Sequence, residues 1–437
     1  MAPPLRSVQE FLHAPAAGTV VLGGWVEDVR NLGSIAFILV RLRDGTVQVA
    51  AKKKADESLF QELTKLTRES VVEIAGKVVE NKEARHGREV QPAQLSILSP
   101  ADTPLPLGVV DKVGVEFDTR LDNRTVDLRK PATRAIFEVR SLLEAGLRHE
   151  LARLGFIEVH TPKLAGAGAE GGASLFQTDY FGRKAFLSQS PQLYKQMLMA
   201  TGLDRVYEIA PAFRAEPSDT VRHVTEFTSF DAEMAWIEGQ EDVLKVLEAV
   251  VAGSLAYVKE KGSAPLGVLG VDPRIPALPL PRLPYPEALE ILRAQGKRVR
   301  DGQDIDTEGE KILGRAMADK GHEMFFLTEY PTAIKPFYVM AQAEEPDYTW
   351  SFDLEYKGDE MASGGQREHR IDALRDTMKR KGLDPAGFEF YLAAFRYGMP
   401  PHGGWGLGID RLTQKMLDLP NIREAILFPH DRNRLVP

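Results

Sequence analysis

The chain runs to 437 residues, 43% of them hydrophobic, with a formal net charge of -8 and no cysteine. That length carries a soft expectation of about three domains with ample material for large cores, and the missing thiols exclude disulfides, thiolate metal sites and cysteine nucleophiles. No run of about 18 apolar residues is present to span a bilayer, and the opening MAPPLRSVQE has neither the basic region nor the apolar core of a signal peptide, so a cytoplasmic protein without membrane partners is expected.

In chain order, the first 105 residues are electrically neutral, with 13 Lys and Arg against 13 Asp and Glu, so the acidic excess lies beyond Leu105. Such a balance argues against coating nucleic acid nonspecifically and leaves a local RNA-binding surface open. From Thr19 to about Ser99 the stretches TVVLGGWVEDV, IAFILVRLRDGTVQVAA, SVVEIAGKVVE and VQPAQLSIL alternate β-branched residues, turn at Asp44-Gly45 and enclose the more helical DESLFQELTKLTR. This pattern predicts a small β-barrel of the OB-fold type over residues 1–105. PADTPLPL, from Pro100 to Leu107, is stiff and turn-rich, and DTRLDNRTVDLRKP alternates acids with arginines too densely for a core. Residues 106–130 are therefore expected to form a hinge.

After Pro131, Thr133 is placed to cap a helix in which Ile136, Val139, Leu143, Leu147, Leu151 and Leu154 follow helical spacing, with Gly155 as its stop. FIEVHTPKL alternates as a strand ended by Pro162. Further helices are predicted from Glu241 to Lys259, Thr307 to Lys320 and Pro385 to Tyr397, among the strand-like runs RVYEIAPAFRA, EFTSFDAEMAW, MFFLTEY and WSFDLEYKG. Strands outnumber the helices that βαβ alternation needs, so residues 131–437 read as an α+β domain with a mostly antiparallel sheet.

Near the C-terminus, HGGWGLGIDR spaces its glycines as G-x-G-x-G, which is neither the dinucleotide fingerprint nor a P-loop. Glycines at alternate positions let a strand bend, or let a flat ligand lie against the backbone. YEIAPAFRAE sets Phe213, Arg214 and Glu216 on a predicted strand with Arg214 and Glu216 on one face, and Arg222, His223 and Phe227 follow a polar loop. An arginine fork grips a phosphate, a carboxylate accepts from an exocyclic amino group and a phenyl ring stacks on a base; taken singly, Arg214 and Glu216 would be a surface ion pair worth little. Asp353 and Glu360 suit Mg2+, which prefers a few carboxylate oxygens plus phosphates to an all-protein cage.

The FRAE stretch with its return RHVTEFTSFDAEM, and the terminal GLGIDR, resemble the second and third signature motifs of class II aminoacyl-tRNA synthetases, and GFIEVHTPKL resembles the first. More narrowly, LDNRTVDLR, EGGASLF, SQSPQLYKQ, FDLEY, SGGQREHR and RYGMPPHGGWGLGIDR are similar to the aspartyl-tRNA synthetases in their compact archaeal and eukaryotic form, over nearly the whole chain. The resemblance implies an enzyme that activates L-aspartate with ATP and Mg2+ to aspartyl-adenylate and transfers it to the 3′ end of tRNA(Asp), working as a homodimer through the first motif with Pro162 at the interface. It implies that Gly406 and Gly408 floor the ATP site, that Arg411 lies over the adenine opposite Phe227 and reaches the phosphates, and that Arg214 takes the α-phosphate and Glu216 the adenine amino group. Arg222 and His223 then belong to the loop over the ATP tail, and Asp353 and Glu360, with Ser363 nearby, hold the metal.

For the amino acid, the resemblance implies that Lys195 and Arg367 converge on the side-chain carboxylate, while Asp231 with Ser190 and Gln192 takes the α-ammonium, beneath a lid containing Glu170, Gly171, Gly172 and Ala173. Two cations and one anion complement aspartate, and asparagine would lose roughly 3–5 kcal/mol by analogy with a broken buried pair. In the barrel it implies Phe37 stacked on an anticodon base with Arg30 and Gln48 reading its neighbours, whereas an isolated strand aromatic would usually be core. Relatives that also charge tRNA(Asn), and then need a partner amidotransferase, carry histidine and proline at sites aligned near Glu27 and Arg85; this chain has neither, which favours discrimination, although Glu27 also departs from the bulky aromatic of strict members. Three rivals are an asparaginyl enzyme, opposed by Lys195, an ammonia-using asparagine synthetase, opposed by the barrel, and an inactive RNA-binding paralogue, opposed by the presence of Arg214, Glu360 and Arg411.

Overall fold

The computed structural model describes residues 3–110, 113–166, 175–217 and 220–437, and the chain divides into two units, Met1–Thr119 and Arg120–Pro437. In the first, β1 (Thr19–Asn31), β2 (Ile35–Leu42), β3 (Gly45–Lys52), β4 (Val71–Glu80) and β5 (Arg88–Ser99) close a barrel in the order β1-β2-β3-β5-β4. The barrel expected from the sequence is thus present. Alternation carries Val26, Ile38, Val40, Val47, Val49, Ile74 and Val90 into its interior. The helix Glu57–Thr64 is capped by Asp56, whose carboxylate accepts from the Leu59 N–H, and it buries Leu59, Phe60 and Leu63.

The second unit carries two sheets. The strands of the small one are β7 (Leu164–Ala165), β8 (Gln177–Tyr180) and β9 (Arg183–Leu187), in the order β7-β9-β8. Those of the large one are β6 (Ile157–Glu158), β10 (Arg205–Phe213), β11 (Glu226–Ala235), β12 (Arg282–Pro284), β13 (Met324–Thr328), β14 (Ser351–Tyr356), β15 (Asp359–Gln366) and β16 (His402–Gly408). Their order across the eight-stranded sheet is β12-β13-β14-β15-β16-β11-β10-β6. Only the outer pairs β10–β6 and β12–β13 are parallel, as the α+β reading requires. FIEVHTPKL, expected as one strand, contributes two short ones, Ile157–Glu158 pairing in the large sheet and Leu164 opening a strand of the small one.

Two long helices, Pro131–Arg153 and Gln240–Lys261, cover one face of the large sheet. The first starts at Pro131, so Thr133 lies in its first turn rather than at its cap, and Gly155 follows its end at φ +79°. Leu143, Leu147 and Leu151 of the first helix share one core with Leu247, Val250 and Val251 of the second and with Phe230, Trp405 and Leu407 of the sheet. Each such side chain contributes roughly 1.5–3 kcal/mol. The helices pack closely at Gly146, where a Cβ would lie 3.0 Å from the Ser254 Cα.

The acid–arginine segment before Pro131 is less solvated than its composition suggests. Arg124 and Asp127 are buried, because Arg124 pairs with Asp127 at 2.9 Å and donates to the carbonyls of Glu424, Ile426 and Leu427. Burial acts to raise the Asp127 pKa, but Arg120, Arg124 and Lys130 together hold it below the usual carboxylate range. These matched partners are what let a charged stretch enter the interior. Among the described residues no helix is long and apolar enough to cross a membrane.

Candidate active site

Register across the sheet brings the polar residues into rows. Glu208 lies opposite Asp231, Asp231 opposite Gly406, Ser363 opposite the same Gly406 and Asp353 opposite Ser363. Side chains alternate along each strand, so Phe230, Ala232, Trp405 and Leu407 enter the helix-covered core while Ser229, Asp231 and Glu233 share the other face with Gly404, Gly406 and Gly408. A Cβ on Gly404 would lie 2.1 Å from the Ala232 carbonyl oxygen and 2.3 Å from Glu233 Oε2, and one on Gly406 3.0 Å from Asp231 Oδ1. The alternate glycines thus let β16 run beside the β11 carboxylates without side chains of its own standing over them.

At the deep end of this face, Lys195 comes from the helix Gln192–Leu198 and Arg367 follows the end of β15. Lys195 Nζ donates to Asp231 Oδ1 at 2.9 Å and to the Trp405 carbonyl at 2.7 Å, and lies 3.6 Å from Glu233 Oε2. Arg367 meets Glu233 through Nε at 2.9 Å and a second nitrogen at 3.3 Å. Ser229 Oγ donates to the other Asp231 oxygen at 2.5 Å, and the Gln192 N–H donates to Ser190 Oγ at 3.2 Å. Burial alone would raise the Glu233 pKa, yet Arg367 and Lys195 hold it below its ordinary value. The expectation of two cations and one anion is corrected by Glu233: the described charges here are two cations and two anions, each cation already countered. Glu233 was legible only as the residue two positions beyond Asp231 on an alternating strand.

At the outer end, β10 stops at Phe213, so Arg214 and Glu216 lie beyond the strand on which they were expected. The Arg214 N–H still reaches the Thr225 carbonyl at 2.9 Å, and its exposed guanidinium stands 5.3 Å from the Phe227 ring centroid. Arg411 donates to the Glu360 carbonyl at 2.7 Å. His223, hydrogen-bonded to Thr220 Oγ1 at 2.6 Å, is shifted down by partial burial, with Arg411, Arg222 and Arg214 adding to the depression against Glu216. Arg214, Phe227, His223 and Arg411 thus lie in one neighbourhood. Arg222, in contrast, is engaged by Glu310 at 2.8 Å and Asp359 at 2.7 Å.

The metal expectation meets a suitable donor set. Glu360 is pushed up by burial and then by Asp353, against Arg411, Lys335 and Arg214, so a cation between the two carboxylates would relieve that repulsion. Lys335, which no pattern in the sequence marked, holds Asp353 at 2.9 Å, and Ser363 is exposed beside it. Among the described residues no group of three or more His, Asp or Glu side chains could hold a metal alone, and a two-carboxylate site needs further oxygens from a ligand. The lid expectation, on Glu170, Gly171, Gly172 and Ala173, lies outside the described residues.

In the barrel unit, Arg30 pairs across from Phe37 and Gln48 across from Leu39, on the face opposite to the buried Ala36, Ile38 and Val40. Phe37 is half-buried and outside the core. Arg30 pairs with Asp28 at 3.0 Å and Gln48 donates to Glu89 at 2.7 Å. Glu27 occupies a break in the β1–β2 register; partial burial raises its pKa against the pull of Arg41 and Arg85.

Comparison with known proteins agrees with this geometry. Residues 20–98 match the OB-fold nucleic acid binding domain, and residues 116–432 match the tRNA synthetases class II (D, K and N). The chain is 52% identical over 420 residues to an aspartate-tRNA(Asp) ligase of Thermococcus kodakarensis, covering 96% of each. It is 47% identical over 419 residues to an aspartate-tRNA(Asp/Asn) ligase of Methanocaldococcus jannaschii, covering 96% of this chain and 94% of that one. The crystal structure of asparaginyl-tRNA synthetase from Pyrococcus horikoshii with asparaginyl-adenylate superposes with a TM-score of 0.91 at 33% identity, covering 100% of both chains. With an OB-fold barrel, a mostly antiparallel sheet and relatives of this similarity, the chain belongs to the class II tRNA synthetases of the D, K and N group.

Proposed function

We propose that this protein is an aspartate-tRNA ligase. The carboxylate of bound L-aspartate attacks the α-phosphorus of ATP in line, forming aspartyl-adenylate and expelling pyrophosphate; the terminal adenosine hydroxyl of tRNA(Asp) then attacks the adenylate carbonyl and releases AMP. The observation that carries the reading is the buried Lys195 on Asp231 and the buried Arg367 on Glu233. The substrate side-chain carboxylate adds an acceptor to both cations, and Asp231, Ser190 and Gln192 accept its α-ammonium. Because Glu233 already counters the cations, asparagine is rejected by the loss of charge-assisted bonds, about 1.5–3 kcal/mol, rather than by the larger cost of an uncompensated charge.

ATP fits the outer end, with its adenine between Phe227 and Arg411 over Gly406 and Gly408, Glu216 on the amino group, Arg214 on the α-phosphate and His223 over the tail. Arg222 contributes by holding Glu310 and Asp359. Asp353, Glu360 and Ser363 would hold Mg2+, which when bound neutralises phosphate charge. The side chains do little covalent work, and positioning with charge stabilisation supplies the rate. A C2 homodimer through the first motif belongs to this reading, and Pro162 of that motif lines an apolar cavity of about 600 Å3 with Val159, Met197, Leu198, Phe390 and Tyr397. A cytoplasmic location goes with a tRNA substrate.

On tRNA, Phe37, Arg30 and Gln48 form the anticodon face. Glu27 favours a discriminating enzyme, since a carboxylate accepts from the amino group of cytosine and repels the O4 of uracil, the two bases that end the aspartate and asparagine anticodons. The second reading, an enzyme charging both tRNAs, is favoured by the Asp/Asn name of the relative at 47% identity. Aspartylation of two transcripts differing only in that base decides between them. Charging of the first alone supports discrimination; charging of both implies a partner amidotransferase; charging of neither, with no aspartate-dependent pyrophosphate exchange, overturns the function.

A further inference from the structure

From Gln192, assigned above to the α-ammonium, a buried chain runs back through two side chains, Gln196 and His402, that neither step uses. His402 Nδ1 lies 2.9 Å from the Pro400 carbonyl, His402 Nε2 lies 3.1 Å from Gln196 Nε2, and Gln192 Nε2 lies 2.8 Å from Gln196 Oε1. Gln196 and His402 are fully buried and Gln192 nearly so. The helix Gln192–Leu198 places Gln192, Lys195 and Gln196 on one face.

The direction of each bond follows from the far end. A carbonyl only accepts, so the Pro400 oxygen requires the His402 proton on Nδ1. Burial brings the ring's pKa down to about 4, so it is neutral near pH 7 and Nε2 is a bare acceptor. Gln196 must then turn its amide nitrogen towards His402 and its oxygen towards Gln192. Gln192 in turn must give its nitrogen to Gln196, and its own oxygen is the end left over.

We propose that Gln196 and His402 are positioning residues that fix the side-chain amide of Gln192 with its carbonyl oxygen towards the α-ammonium of the amino-acid substrate. This rests on the assignment of Gln192 to that ammonium in the function proposed above. An amide held the other way would set an NH2 donor against a cation, so the relay converts an ambivalent side chain into a dedicated acceptor. It also ties the amino-acid pocket to the backbone at Pro400, since His402 is the first residue of β16.

The test is a double-mutant cycle read by aspartate-dependent pyrophosphate exchange. Gln196→Leu removes the acceptor for Gln192 and is expected to raise KM for aspartate roughly tenfold, the scale of one hydrogen bond, with kcat and KM for ATP within about twofold. Gln196→Glu keeps an acceptor towards Gln192 once its carboxyl or the His402 ring takes up the proton that joins them, and is expected to hold KM near the wild-type value. In a Gln192→Glu background the carboxylate presents an acceptor whichever way it turns, so adding Gln196→Leu should raise KM no further. An equal rise in both backgrounds, or no rise in the first, overturns the relay. If Gln196→Leu does not fold by circular dichroism, the same cycle with His402→Leu gives the same two outcomes. Wild-type protein without exchange would overturn the functional reading itself, whereas active wild type with an insensitive KM overturns the relay alone.

Discussion

The two ends of the sheet's open face handle charge in opposite ways. At the deep end, Lys195, Arg367, Asp231 and Glu233 are all buried and pair among themselves, and Glu233 stays ionised against its own burial. At the outer end, Arg214 is exposed over Phe227, while burial, and then the nearby Asp353, push Glu360 up. The deep end is finished before any ligand arrives, so it acts as a template of fixed dipoles and charges. The outer end is unfinished, and in the proposed function polyphosphate with its metal would supply the charges that complete it. On the proposed function, rigid complementarity would select the amino acid, and the incomplete end is where charge would change during reaction.

The largest effect is expected from breaking the deep end at its anchor. Glu233→Gln leaves Arg367 buried against an amide and should cost about 3–5 kcal/mol in urea unfolding. The carboxyl is held below its ordinary pKa of 4.5, so its contribution is complete above that pH and is lost as pH falls through the folded value. The gap between wild type and variant should therefore be widest near neutrality and close in acid; a gap that persists unchanged into acid would mean that Glu233 acts by shape rather than charge. At the outer end the opposite profile is expected. Arg214→Ala should leave stability within about 0.5 kcal/mol while kcat for pyrophosphate exchange falls about 10²- to 10³-fold, or 2.7–4 kcal/mol.

A smaller effect separates selection from anchoring. Lys195→Met keeps the Arg367–Glu233 pair and removes one contact to the substrate carboxylate, so KM for aspartate should rise and the preference over asparagine should shrink by about 1.5–3 kcal/mol. Competition between the two amino acids in pyrophosphate exchange measures it directly. An unchanged preference would place selection on Arg367 alone.

Much of this was legible from local pattern. The barrel strands, the long helix after Pro131 and the glycine alternation of HGGWGLG all follow from periods of two and 3.6 residues. What was missed is nonlocal. Glu233 alternates with Asp231 in plain view, but its partner Arg367 lies 134 positions away, and nothing in either stretch announces the pairing. Arg124 and Asp127 looked solvated because their composition is polar; they are buried because carbonyls near Leu427, some 303 positions on, satisfy the guanidinium. Lys335 sits in AIKPFY with no periodicity at all, and only the fold brings it to Asp353. Strand ends were likewise misjudged at Arg214 and Pro162, where ladder pairing rather than side-chain type sets the limit.

The smallest effect is expected outside both ends, and it serves as their control. Phe37 stands on the outer face of its barrel, half-buried and apart from the core, so Phe37→Ala should leave unfolding of the barrel nearly unchanged where a core phenylalanine would cost about 3–5 kcal/mol. Pyrophosphate exchange needs no tRNA and should be untouched. Aspartylation should lose about 1–3 kcal/mol in kcat/KM for tRNA, the worth of one base stacked on an aromatic ring. A loss of stability instead would return Phe37 to an ordinary packing role, and a loss in exchange would mean that the barrel acts on the amino-acid and nucleotide ends, which the separation of binding from chemistry does not allow.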